Sequence, residues 1–227
     1  MAVFTINGMH LSVPETLLTP TIERMLEKGW YEVEEYRALK AHLLPVDSVL
    51  ELGSGIGYLA SVCARTAGAR NVTTVEANPD LLAIIEENLA ANGAQEVTLL
   101  HGVVVAGPKA ADAAFHVSDA FWSATHKQMQ DAGATRITVP ALDFDNLLET
   151  CRPTVLIADV EGAEEDFFQA PLPPDLRLII IELHPHHYAQ SVVRALFSRL
   201  HEQGFTYHTK GSSGSVVVFA RDTTNGS

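Results

Sequence analysis

Apolar residues recur along the chain in two forms, short solid runs and longer stretches spaced by three and four. Solid runs at Val49-Leu50-Glu51-Leu52, Asn71 to Val75, Val97 to His101, Thr154 to Ala158 and Leu178 to Ile181 read as strands buried on both faces. Between the first of these runs lie helical patterns. One runs on from Tyr58 through Leu59, Ala60, Val62, Cys63 and Ala64. Another opens at Asn78-Pro79-Asp80, with an Asn cap, Pro in the first turn and an early acid, and stops at Asn92-Gly93. Strand–helix–strand–helix–strand order implies a parallel sheet with right-handed crossovers. The last apolar pair, Phe205 to Thr209 and Val216 to Ala220, flanks Gly211-Ser212-Ser213-Gly214 and reads as an antiparallel hairpin. The expected fold class is therefore α/β, with helices flanking a mostly parallel sheet.

The chain ahead of Val49 follows other rules. Val3 to Val13 reads as a hairpin turning at Asn7-Gly8. Thr19-Pro20 starts a helix to about Lys28, closed by Gly29, and Glu32 to Leu44 reads as a second helix stopped by Pro45. These residues, 1–44, are expected to cap a domain of residues 45–222, with 223–227 a disordered tail. The centre is harder to read. Ala113 to Val117 and Arg136 to Val139 are strand candidates, Ser118 to Gly133 reads as a mobile polar loop, and Asp143 to Thr150 as a short helix. Further helices are expected over Ala163 to Gln169 and Tyr188 to Gln203.

Composition narrows the partners. The chain of 227 residues is 47% hydrophobic and carries a formal charge of −13 at pH 7. So acidic a surface repels phosphate backbones, which argues against nucleic acid or an anionic membrane. Neither a membrane-length apolar run nor a leader pattern is present, and the two cysteines, Cys63 and Cys151, form no CxxC. A cytoplasmic protein with free thiols is the expectation, and a homodimer is compatible with it.

Chemistry concentrates where the strand runs end. Gly53, Gly55 and Gly57 crowd the turn after the first run, where glycine lets a ligand approach backbone and the helix start offers unpaired N–H groups. In open parallel sheets ligands bind beyond the carboxyl ends of the strands. Those ends here carry Glu51, Glu76, His101-Gly102-Val103, Asp159 with Glu161, and Glu182 with His184. Glu76 follows the glycines by about twenty residues, the offset at which an acid meets a ribose hydroxyl pair. The third glycine falls one residue short of the dinucleotide pattern GxGxxG, and Glu51 suits a ligand with an ammonium group. Asp159 and Glu182 should end neighbouring strands, close enough for one to act as a base near neutral pH or to share a cation. His184, His186 and His187 are a weak metal signal, and no metal-ligand set is assigned.

The series of motifs resembles the FkbM-type methyltransferases, which use S-adenosylmethionine. Tyr31-Glu32 with Glu35 looks like the family's entry helix, Val49 to Gly57 its first cofactor motif, and Glu76-Ala77-Asn78-Pro79 with Asn92-Gly93 its second. Leu142 to Leu148, Asp159-Val160-Glu161-Gly162-Ala163-Glu164 and Ile181-Glu182-Leu183-His184 complete the series. The family usually has Asp-x-Gly-Ala-Asn-x-Gly in the first motif, where this chain has Glu51 to Gly57, and residues 102–133 match it poorly. The resemblance implies a Rossmann-like class I methyltransferase fold with a seven-stranded sheet. It implies that Glu51, Gly53 and Gly55 hold the cofactor's amino-acid part, Glu76 its ribose, and His101, Gly102 and Val103 its adenine, with Ser54, Gly57, Ala77 and Asn78 completing that site. On the acceptor side Asp159, Glu182 and His184 are the expected catalytic residues, and Tyr31, Glu32 and Glu161 the expected substrate contacts. The expected reaction is O-methylation of a small molecule, sugar or natural product. A non-catalytic S-adenosylmethionine-binding protein and a nicotinamide-dependent oxidoreductase are the alternatives.

Overall fold

In the computed structural model, residues 1–107, 112–117, 135–160, 166–185 and 188–221 are described. The chain opens with a hairpin, β1 (Ala2–Ile6) and β2 (Met9–Val13), whose turn uses the left-handed residues Asn7 and Gly8. Helix α1 (Pro20–Lys28) starts on the Thr19 hydroxyl, which accepts from the Ile22 N–H, and ends at left-handed Gly29. Helix α2 (Val33–His42) follows.

The core alternation comes next. Strand β3 (Val49–Leu52) feeds helix α3 (Tyr58–Ala67), and β4 (Val72–Glu76) feeds α4 (Pro79–Ala91), capped by Asn78 as its sequence demands. Strand β5 (Thr98–His101) runs through Gly102 into β6 (Val103–Val105). Then come β7 (Asp112–Val117), β8 (Thr135–Asp143), α5 (Phe144–Cys151), β9 (Val155–Ala158), β10 (Leu178–Glu182), α6 (Gln190–Glu202), β11 (Phe205–Ser213) and β12 (Val216–Arg221).

Among the described residues the main sheet has seven strands in the order β11-β12-β10-β9-β3-β4-β5. All neighbours are parallel except β12, which runs antiparallel to both β10 and β11. The order reverses between β3 and β9, so the carboxyl ends of these strands flank the crevice that open α/β sheets offer to ligands. Solid apolar runs make sense here: β3, β9 and most of β10 are buried along their whole length, one face toward each helical layer. Two apolar clusters result, one shared by the hairpin, α1 to α4 and one sheet face, the other by α5, α6, Phe167 and Phe168 and the opposite face.

Three sequence expectations are corrected. The strand candidate at Arg136 to Val139 is the middle of the longer β8, which pairs with β6 and β7 in a second, three-stranded sheet. Gly102 is the junction between the two sheets. The helix expected over 163–169 has 163–165 outside the described residues; Asp166 is 3₁₀, Phe167 and Phe168 are bends and Gln169 is irregular, so no α-helix is described there. The last long helix begins at Gln190, two residues after Tyr188. The loop 118–133 and the tail 223–227 both fall wholly outside the described residues. Cys63 is buried and Cys151 half-buried, both as free thiols. No described helix is long and apolar enough to cross a membrane.

Candidate active site

A cavity of about 330 Å³ opens at the carboxyl ends of β3, β4, β9 and β10. The glycine turn forms its floor. The Val75 carbonyl accepts from the Gly53 N–H (3.0 Å) and the Ser54 N–H (3.1 Å), tying the turn to β4. Gly53 has φ +89°, and a Cβ there would overlap the Asp159 carbonyl oxygen. Gly55 has φ +55°, and its Cβ would lie 2.5 Å from the Tyr31 hydroxyl. Both positions need glycine for backbone angle and for space.

Glu76 closes one side. Its carboxylate accepts from the Gly55 N–H (3.1 Å) and the Asn78 N–H (2.7 Å), so it braces the glycine turn and the start of α4 together. Burial pushes its pKa up to about 7, against the pull of these backbone donors. Ala77, Gly102 and Val103 line the cavity beside it. Asn78 is spent on capping α4 through the Asp80 N–H.

Other members of the cofactor set stand behind this wall. Glu51 is 1% exposed and does not reach the cavity. One of its oxygens accepts from the Thr74 hydroxyl while the other, Oε1, has no partner. Burial, with Glu76 nearby, raises its pKa to about 8. Ser54 is equally buried with its hydroxyl unpartnered, Gly57 caps α3 from behind the turn, and His101 turns a partnerless Nε2 inward.

Tyr31 and Glu32, expected among the substrate contacts, close on Gly55 from the cap. Glu32 holds a left-handed φ of 47°, and one of its buried oxygens lacks a partner. Burial first, then Glu35, raises its pKa well above the ordinary value. Glu35 itself was not placed in the site from sequence. It lies 6% exposed on the inner face of α2, and burial and then the Glu182 carboxylate push it up to about 7. A signal existed: Glu35, Ala38 and Leu39 share one helical face, and an acid on a buried face is unusual. Trp30, Met25 and Phe115, which add apolar wall, had no such signal.

On the far side three predicted residues meet. β9 and β10 are in register, Ala158 beside Ile181, so Asp159 and Glu182 leave adjacent strand ends. His184 Nε2 stands 3.5 Å from Asp159 Oδ1. The His184 N–H donates to the Tyr188 hydroxyl (2.8 Å), and Ser215 donates to Glu182 (2.9 Å), so two of the three are oriented from outside the cavity. Ligand atoms of Asp159, Glu182 and His184 all lie within 4.8 Å of one another. Glu161, His186 and His187 fall outside the described residues.

A seven-stranded sheet of this order, with a cavity over a glycine turn at its carboxyl ends, is the class I methyltransferase fold. The crystal structure of precorrin-6y C5,15-methyltransferase from Geobacter metallireducens shares the fold at 12% identity, with a TM-score of 0.51 over 93% of this chain and 94% of that one. The description "Methyltransferase FkbM domain" matches residues 51–207, and the chain belongs to the FkbM methyltransferase family. It is also similar to the hexuronic acid methyltransferase AglP of Haloferax volcanii, 26% identical over 61% of this chain and 56% of that one. The ribosomal protein L11 methyltransferase of Geotalea uraniireducens is 39% identical over 38% of this chain and 27% of its own length. The chain thus spans between about a quarter and about half the length of these curated relatives. S-adenosylmethionine is the family's cofactor, and the nicotinamide alternative falls with that assignment. The residues fit such a group: a backbone cradle that a Cβ would fill, the Glu76 carboxyl on the cavity wall, and a buried Glu32 oxygen lacking a partner.

Proposed function

We propose that the chain transfers a methyl group to a hydroxyl oxygen of a small-molecule acceptor, a sugar or natural product. The observation that carries this reading is the meeting of Asp159, Glu182 and His184 on the wall opposite Glu76. A hydroxyl is a poor nucleophile until its proton is withdrawn, and such a cluster stabilises that loss. Similarity to a hexuronic acid methyltransferase supports a hydroxylated acceptor.

When bound, S-adenosylmethionine supplies a methyl already activated on a sulfonium. The chain's own residues orient and exclude. Glu76 would accept from the ribose hydroxyls, the glycine turn at Gly53 and Gly55 with Glu32 and Tyr31 would receive the amino-acid part, and Gly102 and Val103 would hold the adenine. Glu51 acts from behind, fixing the turn through Thr74. Ile22, Met25, Trp30 and Phe115 keep water from the acceptor. Most of the rate comes from positioning, with assistance at the hydroxyl adding a factor of about 10²–10⁴.

Incubation with S-adenosylmethionine and a panel of matched hydroxyl and amine acceptors tests the reading. Methylated oxygen on a polyol is the expected product. Exclusive methylation of amines would overturn the oxygen assignment, and cofactor binding without any product would favour the non-catalytic alternative.

A further inference from the structure

The cavity wall is unbalanced in charge. Its described residues include the carboxyl groups of Glu32, Glu34, Glu35, Glu76, Asp159 and Glu182, with neither Lys nor Arg among them. Glu32 keeps an oxygen buried without a partner. S-adenosylmethionine carries one net positive charge against these six carboxyl groups. The excess is densest at the ends of β9 and β10, where two acids meet a histidine.

We propose that Asp159, Glu182 and His184 bind a divalent cation of the Mn²⁺ or Mg²⁺ class. The inference rests on the methyl-transfer reading for its purpose, not for its binding test. Neighbouring ligands of such an octahedral ion stand about 3 Å apart and opposite ones about 4.2 Å, so atoms already within 4.8 Å of one another come to ligating distance by side-chain rotation. Two hard carboxylates favour Mg²⁺ or Mn²⁺, and the imidazole tips the balance toward Mn²⁺. Supporting contacts are in place. Ser215 holds one Glu182 oxygen, Glu35 packs against the same carboxylate, and the Tyr188 hydroxyl anchors the His184 backbone. His184 is 7% exposed and Asp159 37%, so the ion would be held from the buried side and open toward the cavity. Its remaining positions suit two neighbouring oxygens of the acceptor. A hydroxyl bound there would ionise more readily, its proton leaving to solvent on the side of the half-exposed Asp159, away from the apolar wall. His184 is then a ligand, not a proton carrier.

The test uses the full chain, without cofactor or acceptor, titrated with Mn²⁺ alone and followed by the paramagnetic resonance of the free ion. One equivalent is expected to bind, with pulsed measurements showing coupling to an imidazole nitrogen. Glu182→Gln and His184→Asn should each weaken binding at least about tenfold, while Glu149→Gln, on the exposed side of α5, should leave it unchanged. The nitrogen coupling is read in the unaltered chain, so a variant that fails to fold does not obscure the result. No uptake, or uptake without nitrogen coupling, overturns the proposal. Calorimetry with S-adenosylhomocysteine separates the two readings: heat without Mn²⁺ uptake removes the cation alone, and Mn²⁺ uptake without heat keeps the cation and removes the cofactor assignment.

Discussion

The two ends of the central sheet hold buried acids in opposite ways. At the amino ends, Asp47 is 2% exposed and fully partnered: Arg177, Thr154 and the Leu44 N–H all donate to it. Burial alone would raise its pKa, but the Arg177 guanidinium and these donors hold it below the ordinary carboxylate value. At the carboxyl ends, Glu51 and Glu76, with Glu35 of α2 lining the same cavity as Glu76, are just as buried and have no cationic partner among the described residues, and burial drives all three up to between about 7 and about 8. One end of the sheet satisfies its charge and the other leaves it for a ligand. Perturbed acids gathered in a cleft mark function, whereas a compensated pair marks structure.

The comparison breaks most sharply at Asp159. Asp159→Asn should lower turnover by about 10²–10⁴ with cofactor affinity within a few-fold, as read by single-turnover kinetics and S-adenosylhomocysteine titration. Near-normal turnover removes Asp159 from the catalytic set. At the other end, Asp47→Ala should leave activity per folded molecule unchanged and destabilise the chain. Breaking a buried pair costs ~3–5 kcal/mol, and the 30% exposure of Arg177 brings the expectation to about 2–3 kcal/mol by urea denaturation. A loss under ~0.5 kcal/mol would make the pair ornamental.

The two ends should also differ in pH response. Glu35, Glu51 and Glu76 keep their protons when folded well above their ordinary 4.5. The stability they lend is full below that value and is lost as pH rises through about 7 to 8. Asp47 works the other way, losing its contribution only as pH falls through its depressed value. The ligand-free chain should therefore be less stable at pH 8 than at pH 5 by at least about 2 kcal/mol. Glu51→Gln should flatten the upper part of that slope; an equally steep profile in the variant would point to other groups. The smallest effect belongs to Glu76→Gln, which keeps an acceptor for the Gly55 and Asn78 N–H groups. It should weaken S-adenosylhomocysteine binding by about tenfold, near 1.4 kcal/mol, with little change in fold stability.

Much of this was legible in the chain because burial on both faces forces solid apolar runs. Leu178 to Ile181 and Val155 to Ala158 could hardly be anything but central strands, and their polar ends had to face the crevice. Caps were legible too, since Thr19 and Asn78 each act within three residues. What stayed hidden depended on distant partners. β6 and β8 pair across 103–143, and Gly102 turns the chain out of β5 into β6, a pairing set by residues some forty positions away. Glu51 lies at the right place in sequence, yet the Thr74 hydroxyl draws its side chain behind the wall. Tyr31 and Glu32 belong to a cap whose docking on Gly55 depends on how α2 packs against β10 and β12.

The central claim is that burial makes the acids at the carboxyl ends easier to protonate than ordinary carboxyls until a cationic ligand arrives. Calorimetry of S-adenosylmethionine binding at pH 7, repeated in buffers of different ionisation enthalpy, measures the protons exchanged. Net release of at least about half a proton per molecule bound is expected, because groups with pKa values near 7 to 8 give up protons to a cation. Binding with no proton release, or with net uptake, would contradict the account.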